Sequence, residues 1–275
     1  MLFLPNLELT DLNGERWPLS APGCPVRLRT VTGLEGAEWD FDTTTGVGQP
    51  GVTVVARTDK ESFVEMTLWV GPVDRGDPAV ELLRDFLDGL GRGWSRDGRL
   101  MTLTALDTDR FQQVRLAEKY KSPDWAQMFH VGRTELSIKL QSDESWWRAK
   151  PVDKTFTPDQ FATASVTNRG NVEEGAWPWF RIDGPIVNPT IGLVDEQVTI
   201  PLTLAAGQWV EVNTDPDWWE VRDQAGVDRT WSVGERWHQT APPDTANIKV
   251  NISGTGTTTA TRVRVVVPQL FHGAM

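Results

Sequence analysis

The sequence predicts a mainly β protein of two domains, residues 1–158 and 159–275, with one α-helix in the first. Three observations carry that prediction. Apolar and polar residues alternate with period two over long runs, as at 63–70 and 135–140. After residue 163 candidate strands recur about every 8–15 residues with turn residues between them, the spacing of a β-sandwich or jelly roll. A single stretch, 77–92, instead repeats its apolar residues at helical spacing. The length of 275 residues suits one large β domain or two ordinary ones.

In chain order, LELTDLNG at 7–14 ends on Asn13-Gly14, a strong hairpin signal, and RWPLSAPGCP follows. In VRLRTVTGLEG, Val26 and Leu28 alternate with Arg27 and Arg29, as in a half-exposed strand. Residues 40–51, DFDTTTGVGQPG, read as a loop, and VTVVARTD as a strand. In SFVEMTLWVG, Val64, Met66, Leu68 and Val70 form a continuous apolar face opposite Phe63, Glu65, Thr67 and Trp69. Asp77-Pro78 reads as an N-cap with proline at the first helical position. Leu82, Leu83, Phe86, Leu87 and Leu90 give that helix its apolar face, and Gly89, Gly91 and Gly93 end it. RLMTLTALD and FQQVRLAEKY flank a turn at 107–109 as two strands. TELSIKLQSDESWW is a long strand with Leu136, Ile138 and Leu140 on one side. Residues 149–162, with two prolines and mixed charge, read as a linker. Beyond it come ATASVTN, WPWFRID, PTIGLVD, QVTIPLTL, QWVEVNT, WWEVRD, NIKVNIS and TRVRVVVPQL, all as strands.

Composition narrows the function. A net charge of −11 and a pI near 4.8 repel phosphate, so neither nucleic acid nor an anionic membrane surface is an expected partner. The opening Met1-Leu-Phe-Leu-Pro5 is too short and uncharged for a secretory leader, and no run approaches ~18 apolar residues. Synthesis and folding in a cytoplasm is the expectation. Cys24 is the sole cysteine, which excludes an internal disulfide and reads as a loop or small core residue.

No motif announces chemistry. Gly46-Val-Gly48-Gln-Pro-Gly51 matches a dinucleotide-binding glycine pattern, but a polar loop precedes it and a β-type run follows. Asp107/Asp109 and Asp215/Asp217 lack the glycine and distal glutamate of a calcium loop and read as turns. His130, His238 and His272 are far apart and lack partners at ligand or base spacing. No catalytic residue, cofactor or metal is expected. A glycan-active enzyme would need two carboxylates facing across a groove, and the sequence does not pair Asp183, Glu211 or Asp217.

Tryptophan is the remaining signal: 14 against a single tyrosine, with arginine in excess of lysine. Trp and Arg have GC-containing codons whereas Tyr and Lys codons are AT-rich, so a GC-rich genome accounts for much of this. Trp177 and Trp179, two apart on an extended strand, project to one side, whereas Trp218 and Trp219 project to opposite sides. All four are candidate contacts, either for a host cell-wall glycan or for a neighbouring subunit or domain, with packing favoured.

The stretch 168–191, NRGNVEEGAWPWFRIDGPIVNPTI, resembles the start of the C-terminal domain of siphovirus distal tail proteins: an Asn/Gly turn, an aromatic-Pro strand, a Gly turn, then Asn-Pro. VEVNTDPDWWEV resembles that family's strand ending in an Asp-Thr-like turn, although the order here is Asn213-Thr214-Asp215. TELSIKLQSDESWWR resembles the close of its N-terminal domain, without the family's proline before the tryptophan. The resemblance spans nearly the full length and rests on the order and spacing of these pieces. It implies a split-barrel-like N-terminal domain and a galectin-like C-terminal sandwich. It also implies a structural, non-enzymatic virion protein of a long non-contractile phage tail. Six copies would form a ring at the tail tip, in contact with the tail tube, tape measure and tail hub proteins. The N-terminal half would make the ring and the C-terminal domain would decorate its outside. The alternative is a carbohydrate-binding module that contacts cell-wall glycan through the sandwich.

Overall fold

The computed structural model describes residues 5–92 and 97–275. Gly93, assigned above to the end of the helix, and residues 1–4 of the opening stretch lie outside the described residues. The chain forms two compact units, Met1–Arg148 with His272–Met275, and Ala149–Phe271.

Unit 1 opens with a hairpin of β1 (Leu7–Thr10) and β2 (Arg16–Pro18), turned at Asn13-Gly14. Buried Asp11 organises that turn, accepting from the backbone N–H groups of Asn13 and Glu15 and from the Trp17 indole. The strands β3 (Val26–Thr32), β6 (Ser62–Val70), β9 (Thr134–Ser142), β8 (Arg110–Leu116), β7 (Met101–Ala105) and β1 then pair in that order, every neighbour antiparallel. Leu19, just past β2, brings the two ends together. Its N–H donates to the Leu7 carbonyl, and its own carbonyl accepts from Leu28 of β3 at 2.7 Å. The sheet is therefore a barrel with a thin seam. The alternation read from the sequence is the burial pattern found: Val64, Met66, Leu68 and Val70 of β6 and Leu136, Ile138 and Leu140 of β9 are buried.

The helix α1 (Asp77–Leu90) buries Ala79, Leu83, Phe86, Leu87 and Leu90. Phe86 meets Trp17 edge-on, with ring centroids 5.1 Å apart. Gly76, not Asp77, is the N-cap, so Asp77 lies in the first turn, where the helix dipole favours a carboxylate. The helix stops at Gly91, whose φ of 66° suits glycine. Gly89 abuts Asp11: a Cβ there would sit 2.0 Å from Oδ2. A second, short helix, α2 (Trp125–Val131), follows the Lys121-Ser-Pro-Asp loop. Asp124 caps it by accepting from Gln127 N–H at 2.8 Å, and Gly132 ends it in the left-handed conformation. Residues 272–275 return to this unit. Ala274 N–H donates to Leu34, the Thr108 hydroxyl to the Ala274 carbonyl, and Arg110 to the Gly273 and Met275 carbonyls.

The residues read as a linker are folded. The strand β10 (Trp147–Phe156) runs through them, followed by a 3-10 turn at Pro158–Thr163. Packing and pairing override the proline and charge content. Within unit 2, Arg264 makes two hydrogen bonds to Asp153, Lys154 donates to the Ser165 carbonyl, and Phe156 joins the core.

Unit 2 is a sandwich of two antiparallel sheets. One contains β12 (Trp179–Asp183) between β16 (Trp209–Asn213) and β19 (Arg262–Phe271), with β17 (Glu220–Asp223) beyond β16. The other contains β18 (Thr245–Thr255) between β11 (Ser165–Asn168) and β13 (Ile186–Leu193), and β13 also pairs with β14 (Val198–Thr199) and β15 (Thr203–Leu204). Alternate residues of each strand fill the core between them: Phe180 and Ile182, Val210 and Val212, Val263 and Val265, facing Ile191, Leu193, Val250 and Ile252. The stretch 168–191 enters this core. Buried Asn168 donates to the Ala241 carbonyl and accepts from Gly170 N–H. QVTIPLTL, expected as one strand, is two short ones, because Pro201 has no N–H and faces the register shift at Asn188-Pro189 of β13.

Candidate functional site

Three places hold side chains that the fold itself does not consume. The first is a two-stranded ribbon in unit 1, β4 (Trp39–Thr44) and β5 (Thr53–Asp59). The stretch read as a loop at 40–51 is thus strand up to Thr44, with the glycine pattern at the tip, where Gln49 N–H donates to the Gly46 carbonyl. The register sorts the side chains. Trp39 and Phe41 lie opposite Asp59 and Arg57, and Thr43 lies opposite Val54. Residues directly opposite share a face. Trp39, Phe41 and Val54 therefore give one face an apolar strip, shared with Thr43, Arg57 and Asp59, while Asp40, Asp42, Thr44, Thr53, Ala56 and Thr58 occupy the reverse; the register shifts between Asp42 and Thr43. The ribbon is amphipathic, yet both strands are exposed, Trp39 and Phe41 by more than half. Its base is anchored. Arg57 stacks on Trp39 at 4.7 Å and pairs with Asp59, which also accepts from the Trp146 indole at 3.2 Å. Lys60, hydrogen-bonded to Asp40, is held above the usual lysine range.

The second place contains the four tryptophans singled out by sequence. Trp179 begins β12 opposite Asn213, and residues 214–219 form the β16–β17 turn. The Thr214 hydroxyl donates to the Pro178 carbonyl at 2.6 Å, so Trp177, Trp179, Trp218 and Trp219 gather at one end of this sheet. They do not form one platform. Trp177 and Trp179 are half-buried, with Arg264 over the Trp179 ring. Trp219 packs on the core beneath Arg236, and Trp218 is 74% exposed. The carboxylates named for an enzyme are otherwise engaged. Asp183 and Glu211 both pair with Arg181, while the Asp217 N–H donates to the Asp215 carboxylate within the turn.

The third place lies at the opposite end of the β16–β17 hairpin, where Trp209 and Asp223 sit. A groove of about 550 Å³ opens there, lined by residues 201–204, Gln208, Trp209, 223–225, Arg229, Trp231 and Ser232. Trp209 carries Arg181 over its ring at 4.3 Å, and Trp231 stands 80% exposed at the rim. Asp223 fixes the wall, accepting from the N–H groups of Ala225 and Val227 and from Arg229. Those bonds, the Val227 N–H foremost, hold its carboxyl below the usual range. Neither Trp209 nor the groove polar groups were marked by sequence, because a tryptophan at a strand start signals nothing about the concavity beside it. A more open acidic recess contains Glu196, whose Oε1 accepts from His238 N–H and which burial pushes above the usual carboxylate range. Among the described residues, no group of three or more His, Cys, Asp or Glu is placed to hold a metal ion, and no helix is long and apolar enough to cross a membrane.

The whole-chain architecture matches solved structures. The crystal structure of the SPP1 Dit protein (gp 19.1), described as a paradigm of the hub adsorption apparatus in phages infecting Gram-positive bacteria, superposes with a TM-score of 0.65. The correspondence covers 98% of this chain and 100% of that one at 12% identity. The chain has the Dit fold. A chain of the phage p2 baseplate in its activated conformation, solved with Sr and with Ca, superposes with a TM-score of 0.50 at 11% identity, covering 97% of this chain and 98% of that one. No family model and no curated protein sequence matches, so the likeness to Dit proteins lies in the fold. Mainly β structure in antiparallel sheets, the class expected from the sequence, is what the Dit fold consists of here.

Proposed function

We propose that the chain is a distal tail protein: a structural component of a long non-contractile phage tail that assembles at the tail tip as a homohexameric ring between tail tube and hub or baseplate. The observation that carries the reading is the Dit fold at full length, with essentially no part of either chain left over. The amphipathic ribbon supplies a reason to assemble. An isolated two-stranded ribbon is marginal in water, and an uncovered apolar strip invites a partner. The natural cover is the next copy. A ribbon laid on a different surface of its neighbour makes a head-to-tail contact, and such contacts form a ring where the rotation between copies closes. In this reading unit 1 builds the ring, and unit 2 faces outward. The tail tube, tape measure and tail hub proteins are its partners in the virion, with synthesis in the host cytoplasm. Trp177, Trp179, Trp218 and Trp219, clustered at one sheet end, serve as contacts within the assembly. Mass photometry and negative-stain microscopy of the purified protein test the proposal. Rings of six subunits are expected, and a monodisperse monomer at micromolar concentration overturns it.

A further inference from the structure

We infer that the groove between Trp209 and Trp231 in unit 2 binds a neutral oligosaccharide. The inference is independent of the ring proposal. It rests on four properties of that groove.

First, its volume of about 550 Å³ falls within the ~300–1,000 Å³ typical of ligand pockets. Second, it offers aromatic surface at two levels. Trp209 is part of the lining and Trp231 projects from the rim. A lone exposed tryptophan needs no explanation. One that borders a concavity beside a second indole is placed to stack on a ligand. A pyranose suits it, because one face of the sugar presents C–H groups to an indole while its edge presents hydroxyls.

Third, the polar groups are uncharged amides with capacity to spare. Gln208 Oε1 accepts from Ala205 N–H at 2.8 Å, which orients the side chain and leaves its NH₂ unspent among the described residues. The Gln224 side-chain amide makes no hydrogen bond to the described residues, while its backbone N–H donates to the Trp209 carbonyl. A planar amide both donates and accepts, as vicinal sugar hydroxyls require. The one charged pair in the lining, Asp223 with Arg229, neutralises itself at 2.9 Å. Nothing there selects an anion, and the net charge of −11 repels one.

Fourth, the walls are preorganised. Asp223 clamps its own turn, as described above. The 3-10 turn that presents Trp231 is pinned on both sides: Val221 N–H donates to the Thr230 hydroxyl at 2.8 Å, and the Ser232 hydroxyl donates to the Arg229 carbonyl at 2.7 Å. Rigid walls reduce the ordering cost that otherwise consumes weak binding.

The test titrates the full chain with neutral gluco-, galacto-, manno- and N-acetylglucosamine oligosaccharides and with a soluble fragment of bacterial cell-wall polysaccharide. Binding is followed by saturation-transfer NMR and calorimetry. At least one neutral sugar is expected to bind. Trp231→Ala and Gln224→Ala should each weaken that binding about tenfold, equivalent to ~1.4 kcal/mol. Both side chains lie at the surface of the groove, so the melting temperature should stay unchanged. Trp125→Ala, at an exposed tryptophan of α2 in unit 1, is the control and should bind as the parent does. The inference is overturned if no sugar in the panel binds, if Trp231→Ala and Gln224→Ala leave binding unchanged, or if Trp125→Ala abolishes it. A preference for an anionic glycan over every neutral one also overturns it.

Discussion

Replacing Phe41 and Val54 by serine should dissolve the proposed assembly and leave the subunit intact. The two residues lie on the apolar strip of the β4–β5 ribbon, and each is 54% exposed in the isolated chain. An aromatic side chain buries roughly 150–250 Å² when covered, so the exposed half of Phe41 offers about 100 Å². At ~25 cal/mol per Å² its coverage is worth about 2 kcal/mol, and half of a fully buried valine adds about 1 kcal/mol. The ~3 kcal/mol total corresponds to roughly a hundredfold rise in the subunit dissociation constant. The subunit's own stability should change by no more than about 0.5 kcal/mol, as for other exposed substitutions. Mass photometry over a dilution series reads the first quantity and thermal unfolding of the dilute subunit reads the second. If the double variant assembles at the parent's concentration, the ribbon does not contact a neighbouring copy. If the dilute subunit loses several degrees of melting temperature, the strip is packing within the subunit and the reasoning is wrong.

Three further perturbations probe the units separately. Phe180→Ala removes a fully buried ring flanked by Val212 and Val265, and should cost ~3–5 kcal/mol in urea unfolding of unit 2. A loss below about 1 kcal/mol would mean that the core between the sheets is not close-packed there. Among the described residues of unit 1, the buried Gln112 side-chain amide and the buried Trp147 indole N–H have no hydrogen-bond partner. Gln112→Leu should therefore raise stability by about 1–3 kcal/mol, and a comparable loss would show that the amide is engaged. Glu196→Gln should raise the melting temperature at pH 7 but not at pH 4. Burial raises this carboxyl, so its charged form costs stability above the folded value, and the cost vanishes as pH falls below the ordinary value of 4.5. A gain that persists at pH 4 would rule out ionisation as the cause.

The strands with one wet and one dry face were legible in the sequence because polarity alternates with the pleat. β6 and β9 show this residue by residue, and α1 shows its helical counterpart. The elements that escaped notice lack such a contrast. The short helix α2 buries only Met128, too little for a period. Its Asp124 cap and closing Gly132 were the available signals. The ribbon β4–β5 has no dry face at all, so its two strands looked like loop and strand, although Trp39 and Phe41 two apart hinted at a shared side. Residues 149–156 became β10 because Trp147 and Phe156 are buried at its two ends, a tertiary fact that overrides local composition. The same limit applies to the site. Trp219 and Trp218 are adjacent in sequence and differ only in what the fold places against them. The groove at Trp209 and Trp231 is assembled from four segments that no local pattern connects.

The return of residues 272–275 to unit 1 has a kinetic consequence. The acceptors of Thr108 and Arg110, and the partner of Leu34, belong to the last residues described. A ribosome must therefore translate all of unit 2 before unit 1 can make its final bonds. A chain interrupted anywhere within residues 149–271 carries an unfinished first unit, however well the rest of that unit has folded.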